Sequence, residues 1–127
     1  MLDHVGIQCN DVAASAAFYD AFLAPLGASR MMEPHEGVIG YGIPPAPNFW
    51  LGPLSDDHTG WREDHIAFTA PDRATVRACH AAAVAAGAEI LHEPREWPIY
   101  HPGYFGVFVR DPDGNNVEVV CHRPDDA

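Results

Sequence analysis

The sequence predicts an α+β fold of two tandem βαβββ modules forming a curved mixed sheet, and three observations lead to it. First, the chain repeats itself. Asp3-His4-Val5-Gly6-Ile7, then Asp11 and an Ala-rich run ending at Gly27-Ala28, is echoed by Asp64-His65-Ile66-Ala67-Phe68, Asp72 and an Ala-rich run ending at Gly87-Ala88. Self-similarity of this kind fixes architecture more firmly than local propensity does. Second, each copy passes from every-other-residue alternation to helical spacing of its apolar residues. Third, after each such run Gly and Pro cut the chain into short segments, the punctuation of hairpins and meanders. At 127 residues the chain is the size of one domain able to bury most of its apolar surface without disulfides. The expectation is a single domain over 1–127, with module one at about 2–53, a linker at 54–63 and module two at about 64–122.

In module one, residues 3–9 alternate as a strand, and Asp11 is placed to cap the next element, a helix. Phe18, Phe22 and Leu26 recur at helical steps and should face a sheet, and Gly27 ends the helix. Strands are expected at 29–32, 38–43 and 48–52, with Pro44-Pro45-Ala46-Pro47 as a loop. Module two repeats the plan with a strand at 64–70, a helix capped by Asp72 and Gly87 whose inner face is read as Val76, Cys79 and Val84, and strands at 89–93, 104–110 and 116–122. The turn Asp111-Pro112-Asp113-Gly114-Asn115 is the clearest hairpin signal and is read as structure.

Composition narrows the function. With 47% hydrophobic and 20% charged residues the chain is globular, not disordered. Only seven Lys plus Arg and a net charge of -11 argue against nucleic acid or an anionic membrane as partner. No stretch approaches the roughly 20 apolar residues of a membrane span, and the opening Met1-Leu2-Asp3-His4 lacks the pattern of a signal peptide, so a cytoplasmic location is expected. Cys9, Cys79 and Cys121 have no paired spacing and read as free thiols without assigned chemistry.

Strand alternation then separates two faces. Val5, Ile7 and Cys9 point one way and His4, Gly6 and Gln8 the other; Ile66, Phe68 and Ala70 oppose His65, Ala67 and Thr69; Val117, Val119 and Cys121 oppose Asn116, Glu118, Val120 and His122. If the first-named sets lie under the helices and the sheet curves into a hollow, His4, His65 and Glu118 converge there. Two imidazoles and a carboxylate suit one divalent ion among Zn, Fe(II), Mn, Ni and Co. His35, His58, His80, His92 and His122 show no ligand spacing.

Those residues carry a resemblance. Leu2-Asp3-His4-Val5, Phe18-Tyr19, His65-Ile66-Ala67-Phe68 and above all Val109-Arg110-Asp111-Pro112-Asp113-Gly114-Asn115-Asn116-Val117-Glu118 resemble the vicinal oxygen chelate superfamily, which includes glyoxalase I, type I extradiol dioxygenases and bleomycin-resistance proteins. The resemblance implies the same metal ligands, His4, His65 and Glu118, around a metal cleft, and a homodimer whose clefts are completed either within a chain or across the two-fold. It also exposes a departure: glyoxalase I takes a further ligand from the last strand of its first module, where this chain has Trp50. Three protein ligands would leave positions for a substrate with adjacent oxygens, whose negative charge the ion would stabilise. The segment Trp97-Pro98-Ile99-Tyr100-His101-Pro102-Gly103-Tyr104 should lie by the cleft, with His101 as candidate acid or base, Tyr104 as a further catalytic candidate that with Tyr100 orients substrate, and Trp50 as an apolar, substrate-contacting wall. Two classes stay open: a metal-dependent lyase, isomerase or dioxygenase, and a metal-free protein that sequesters a drug or other ligand.

Overall fold

A computed structural model describes residues 1–55, 60 and 62–124; His58 and much of the linker's middle lie outside the described residues. The first half of the chain folds as β1 (Val5–Cys9), α1 (Val12–Leu23), a 3-10 turn (Ala24–Leu26), β2 (Ser29–His35), β3 (Val38–Ile43) and β4 (Ala46–Pro53). The second half repeats it as β5 (His65–Thr69), α2 (Arg73–Ala85), β6 (Ile90–Glu96), β7 (Phe105–Arg110) and β8 (Asn116–Cys121). The tandem βαβββ plan predicted from the repeat is therefore the fold, built as two four-stranded mixed sheets ordered β1-β4-β3-β2 and β5-β8-β7-β6. In each sheet the first strand runs parallel to the last strand of its module, and the remaining pairings are antiparallel.

Both helices begin where their caps dictate. The Asp11 carboxylate accepts from Ala14 N at 3.1 Å and the Asp72 carboxylate from Thr75 N at 2.7 Å, satisfying amides that would otherwise lack partners. Gly27 and Gly87 close the helical segments at φ of 80° and 76°, a region that favours glycine. The inner face of α1 is broader than Phe18 and Phe22 alone, since Tyr19 and Leu23 are buried with them. On α2 the inner face is Val76, Cys79 and Ala83, while Val84 is 54% exposed. Seven residues bring a helix almost back to the same face, and one more turns it out by roughly 100°.

Side chains from both halves meet in one core. Ile7, Phe22, Tyr41, Phe49 and Leu51 join Val76, Val107, Val117 and Val119 in a single buried cluster. Phe49 packs edge-on to Phe68 at 5.1 Å, linking β4 to β5. Each fully buried side chain of this size contributes about 1.5–3 kcal/mol. The β7–β8 turn is a second link, because Asp111 is buried and accepts from Tyr19 Oη at 2.7 Å, Asn115 Nδ2 at 3.0 Å and the amides of Asp113 and Asn115. Burial first, then the adjacent Asp111 charge, pushes the Tyr19 hydroxyl above its ordinary range. Asp113 in turn accepts from Asn10 Nδ2 at 2.8 Å and Ser15 Oγ at 3.1 Å. The structural reading of that turn is thus explained by its bonds to α1. All three cysteines are buried and free, and burial raises the Cys9 thiol to about 11 and the Cys79 thiol to about 12. As protonated thiols, Cys9 and Cys79 are poor nucleophiles. Among the described residues no helix is long and apolar enough to cross a membrane.

Candidate functional site

The predicted alternation of faces sets up the site. In β1, Ile7 and Cys9 are buried while Gly6 and Gln8 are exposed; in β5, Ile66 and Phe68 are half-buried while His65, Ala67 and Thr69 are exposed. β8 differs, because Glu118 and Val120 are buried along with Val117 and Val119. Tyr104, from the segment before β7, covers Glu118 on that face.

His65 and Glu118 come together there. Parallel pairing sets His65 opposite Asn116 and Ala67 opposite Glu118, so His65 lies diagonally from the acid. His65 Nδ1 lies 3.0 Å from the Asn116 carbonyl oxygen, which can only accept, so Nδ1 carries the hydrogen. In the neutral ring Nε2 is then a bare lone pair, and it faces Glu118 Oε1 at 3.2 Å. Two donor atoms about 2.1 Å from one ion, at roughly 90–110° to each other, stand about 3.0–3.4 Å apart. The pair therefore fits a shared divalent cation, with the Asn116 carbonyl in the supporting position that orients a metal-binding imidazole. The Glu118 side chain is 2% exposed, and its other oxygen, Oε2, accepts from Tyr104 Oη. Burial, reinforced by that carboxylate, pushes the Tyr104 hydroxyl above its ordinary range.

Around this pair runs an aromatic row. The His65 ring lies nearly parallel to Phe108 at 6.1 Å; Phe108 meets Trp97 at 5.1 Å and His92 at 5.6 Å; the Arg95 guanidinium sits 3.6 Å from the centre of the Trp97 ring. Register explains the row, since Glu118, Phe108 and His92 occupy directly opposed positions on β8, β7 and β6. Tyr100 packs on Tyr104 at 4.8 Å, and His101 lies edge-on to Tyr104 at 5.3 Å. His101 Nδ1 is 2.8 Å from the Pro102 carbonyl and its Nε2 is 2.9 Å from His122 Nδ1. The carbonyl requires hydrogen on His101 Nδ1, so in the neutral pair His122 donates from Nδ1 and the open nitrogen is His122 Nε2. Sequence spacing passed over both His92 and His122.

Module one presents a different face. His4 lies just before β1, exposed, with Nδ1 2.5 Å from Asp3 Oδ1. It shares a shallow pocket with Gly6, Gln8 and Trp50. Trp50 stands opposite Gly6 as Glu118 stands opposite Ala67, so the indole does occupy the counterpart of the carboxylate position. A Cβ on Gly40 would lie 2.7 Å from that indole, which therefore rests flat on the glycine. Within one chain His4 does not join His65 and Glu118: among the described residues no three of His, Cys, Asp and Glu gather as a metal-holding group. His65, Glu118, Tyr104, Tyr100 and His101 form one neighbourhood, and His4 and Trp50 form another.

Comparison with known proteins identifies the fold and the family. A glyoxalase/bleomycin resistance protein from Albidiferax ferrireducens superposes with a TM-score of 0.77 at 25% identity, covering 93% of this chain and 95% of that one. A glyoxylase/bleomycin resistance protein/dioxygenase domain from Frankia sp. gives 0.73 at 17% identity, covering 94% and 90%. A lactoylglutathione lyase from Agrobacterium tumefaciens gives 0.66 at 22% identity, covering 93% and 90%. The last two likenesses speak to the fold alone. No curated protein matches the sequence. The profile of one family matches residues 1–119, nearly the whole chain, and this protein belongs to that family, the Glyoxalase/Bleomycin resistance protein/Dioxygenase superfamily.

Proposed function

We propose that this chain is a metal-dependent enzyme acting on a small molecule with vicinal oxygens, by lyase, isomerase or ring-cleavage dioxygenase chemistry. Its ligands for one divalent ion (Zn, Fe(II), Mn, Ni or Co) are His65, Glu118 and His4. The observation that carries this reading is the meeting of two electron-rich atoms, His65 Nε2 and Glu118 Oε1, at 3.2 Å while His65 Nδ1 is engaged elsewhere. The contact is attractive when either a proton or a cation lies between the two atoms, and we assign it a divalent ion shared by both.

His4 is assigned to the same ion from a second copy of the chain. Each copy offers an imidazole face on module one and an imidazole-carboxylate face on module two, and a two-fold dimer can set the first against the second twice over. The homodimer is thus part of the proposal, as is a cytoplasmic setting.

Bound there, a divalent ion supplies Lewis acidity toward adjacent substrate oxygens, lowering the pKa of the group beside them. The chain's own residues do the rest. Trp97 and Tyr100, backed by the buried Phe108 ring, offer aromatic surface to the substrate, and Trp50 walls the opposite side. His101 is the acid or base, acting with His122, so a proton accepted by the pair enters at His122 Nε2. Tyr104 stands between this pair and Glu118.

Metal analysis of protein purified without chelator tests the reading. About one ion per chain is expected in the native protein, and a near-total loss in Glu118→Ala and His65→Ala. Native protein without metal, or variants with undiminished metal, would refute it. The aromatic row also favours a second reading, a metal-free ligand-sequestering protein; tight binding of a planar aromatic ligand by the metal-stripped chain would select that one.

A further inference from the structure

The two oxygens of Glu118 have separate environments, and that division carries an inference that rests on the metal-binding reading. Oε1 faces His65 Nε2 at 3.2 Å, whereas Oε2 is taken by the Tyr104 hydroxyl. A carboxylate free to rotate can bind an ion through one oxygen or through both. Here the part-buried Tyr104 hydroxyl holds one of the two.

The surroundings hold Tyr104 in that place. Trp97 N donates to Tyr104 O at 2.8 Å, Tyr100 N to Trp97 O at 3.1 Å, and Tyr104 N to His101 O at 3.2 Å, so the segment is closed on itself. Trp97 Nε1 donates to Gly106 O at 3.2 Å, tying the closed segment to β7. Gly106 stands opposite Val120, two positions from Glu118. A Cβ on Gly106 would lie 3.2 Å from Glu118 Oε2 and 3.5 Å from Tyr104 Cε1. The missing side chain leaves the space in which hydroxyl and carboxylate meet.

We infer that Tyr104 is a positioning residue which, with the room left by Gly106, restricts Glu118 to one-oxygen coordination through Oε1. The consequence is stoichiometric. With two imidazoles and one carboxylate oxygen, a six-coordinate ion keeps three positions for a chelating substrate and a water; a two-oxygen carboxylate would remove one of them. Tyr104 thereby keeps the site open to a substrate with two neighbouring oxygens, without touching it.

The test compares native protein with Tyr104→Phe and Gly106→Ala after loading with Co(II), using infrared difference spectra between loaded and metal-free protein. The splitting between antisymmetric and symmetric carboxylate stretches is wide for one-oxygen and narrow for two-oxygen binding. Native protein is expected to show the wide splitting and Tyr104→Phe the narrow one, with Co(II) affinity changed about tenfold, the scale usual for partners of metal ligands. Gly106→Ala keeps the hydroxyl but crowds Glu118 Oε2 where the two meet, and should move the bands in the same sense. A merely structural role would lower thermal stability without changing the splitting. Wide splitting retained in Tyr104→Phe, or narrow splitting in the native protein, overturns this inference alone; a native protein that takes up no Co(II) overturns the metal-binding reading as well.

Discussion

Module one and module two share a backbone plan, a strand order and a register, yet their site faces are chemically unlike. Opposite the middle of the first strand, module one carries Trp50 lying on Gly40, and module two carries Glu118 held by Tyr104 over Gly106. In both a glycine on the neighbouring strand makes room, once for an indole and once for a carboxylate and its hydroxyl partner. Duplication supplied equivalent strand positions for Trp50 and Glu118, but the glycines differ in place: Gly40 is directly opposite Trp50, whereas Gly106 is two positions from Glu118 and Phe108 stands opposite the acid. On the proposed reading, the side chain at each of these positions decides which half offers a carboxylate to a cation and which provides a wall.

Glu118→Ala should produce the largest effect, because it removes the half-site that module two alone possesses. Bound metal should fall from about one ion per chain to none, as read by elemental analysis, and any turnover should fall to background. Mixing variants should have the next largest effect. Glu118→Ala keeps its module-one face and His4→Ala keeps its module-two face, so co-refolding the two restores one intact site per mixed dimer if sites form between chains. Metal should return to roughly a quarter of the native level, since half of random dimers are mixed and each has one of two sites intact. No recovery would mean that His4 and His65 serve the same chain. Trp50→Glu should do less. It installs in module one the acid that module two has, and metal retention against a competing chelator should rise about tenfold if that face reaches the ion. Unchanged retention would separate the Trp50 face from the metal.

The range of the interactions decides how much of this could be read in the sequence. Caps, strand faces and the tandem plan were legible because they depend on neighbours a few residues away, as Asp11 with Ala14 and Asp72 with Thr75 illustrate. Glu118 could be singled out as a candidate by strand periodicity, although the structure buries both faces of β8 and so shows no alternation of exposure there. The partners of the site were less so, but one signal was present. Pairing of Phe105 with Cys121 across the β7–β8 hairpin extends outward to Tyr104 and His122, so counting from the Asp111–Asn115 turn would have brought His122 beside the segment that carries His101. The Arg95–Trp97–Phe108 stack had no such signal, because irregular pairing between β6 and β7 sets which residues meet. His4 was legible as a candidate ligand, but its distance from His65 depends on how the modules, or two chains, pack. Val84 was misread for a simpler reason: in a helix this rich in alanine, Ala83 fills the inner position and a larger side chain drew the assignment outward.

The modules also differ in how their helices are tied to their sheets, and pH offers the mildest way to probe that. In module one Asp20 on α1 accepts from Arg30 Nε at 2.9 Å, Arg30 Nη2 at 2.8 Å and Tyr41 Oη at 2.8 Å. In module two Arg73 on α2 reaches Glu96 at 2.7 Å and the Arg123 carbonyl at 3.3 Å. The Arg30 hydrogen bonds first, with that of Tyr41 in support and against the opposing effect of burial, hold the Asp20 carboxyl below the usual carboxylate range. A depressed carboxylate contributes stability that is complete above its unfolded pKa, about 4, and is lost as pH falls through the lower folded value. Asp20→Asn should therefore flatten the acid side of the stability profile while costing no more than about 1 kcal/mol near neutrality, since the pair is largely exposed. Urea unfolding at a series of pH values checks this. If the acid limb keeps its slope in the variant, the clamp on module one contributes nothing to its acid sensitivity, and carboxylates elsewhere in the chain must account for it.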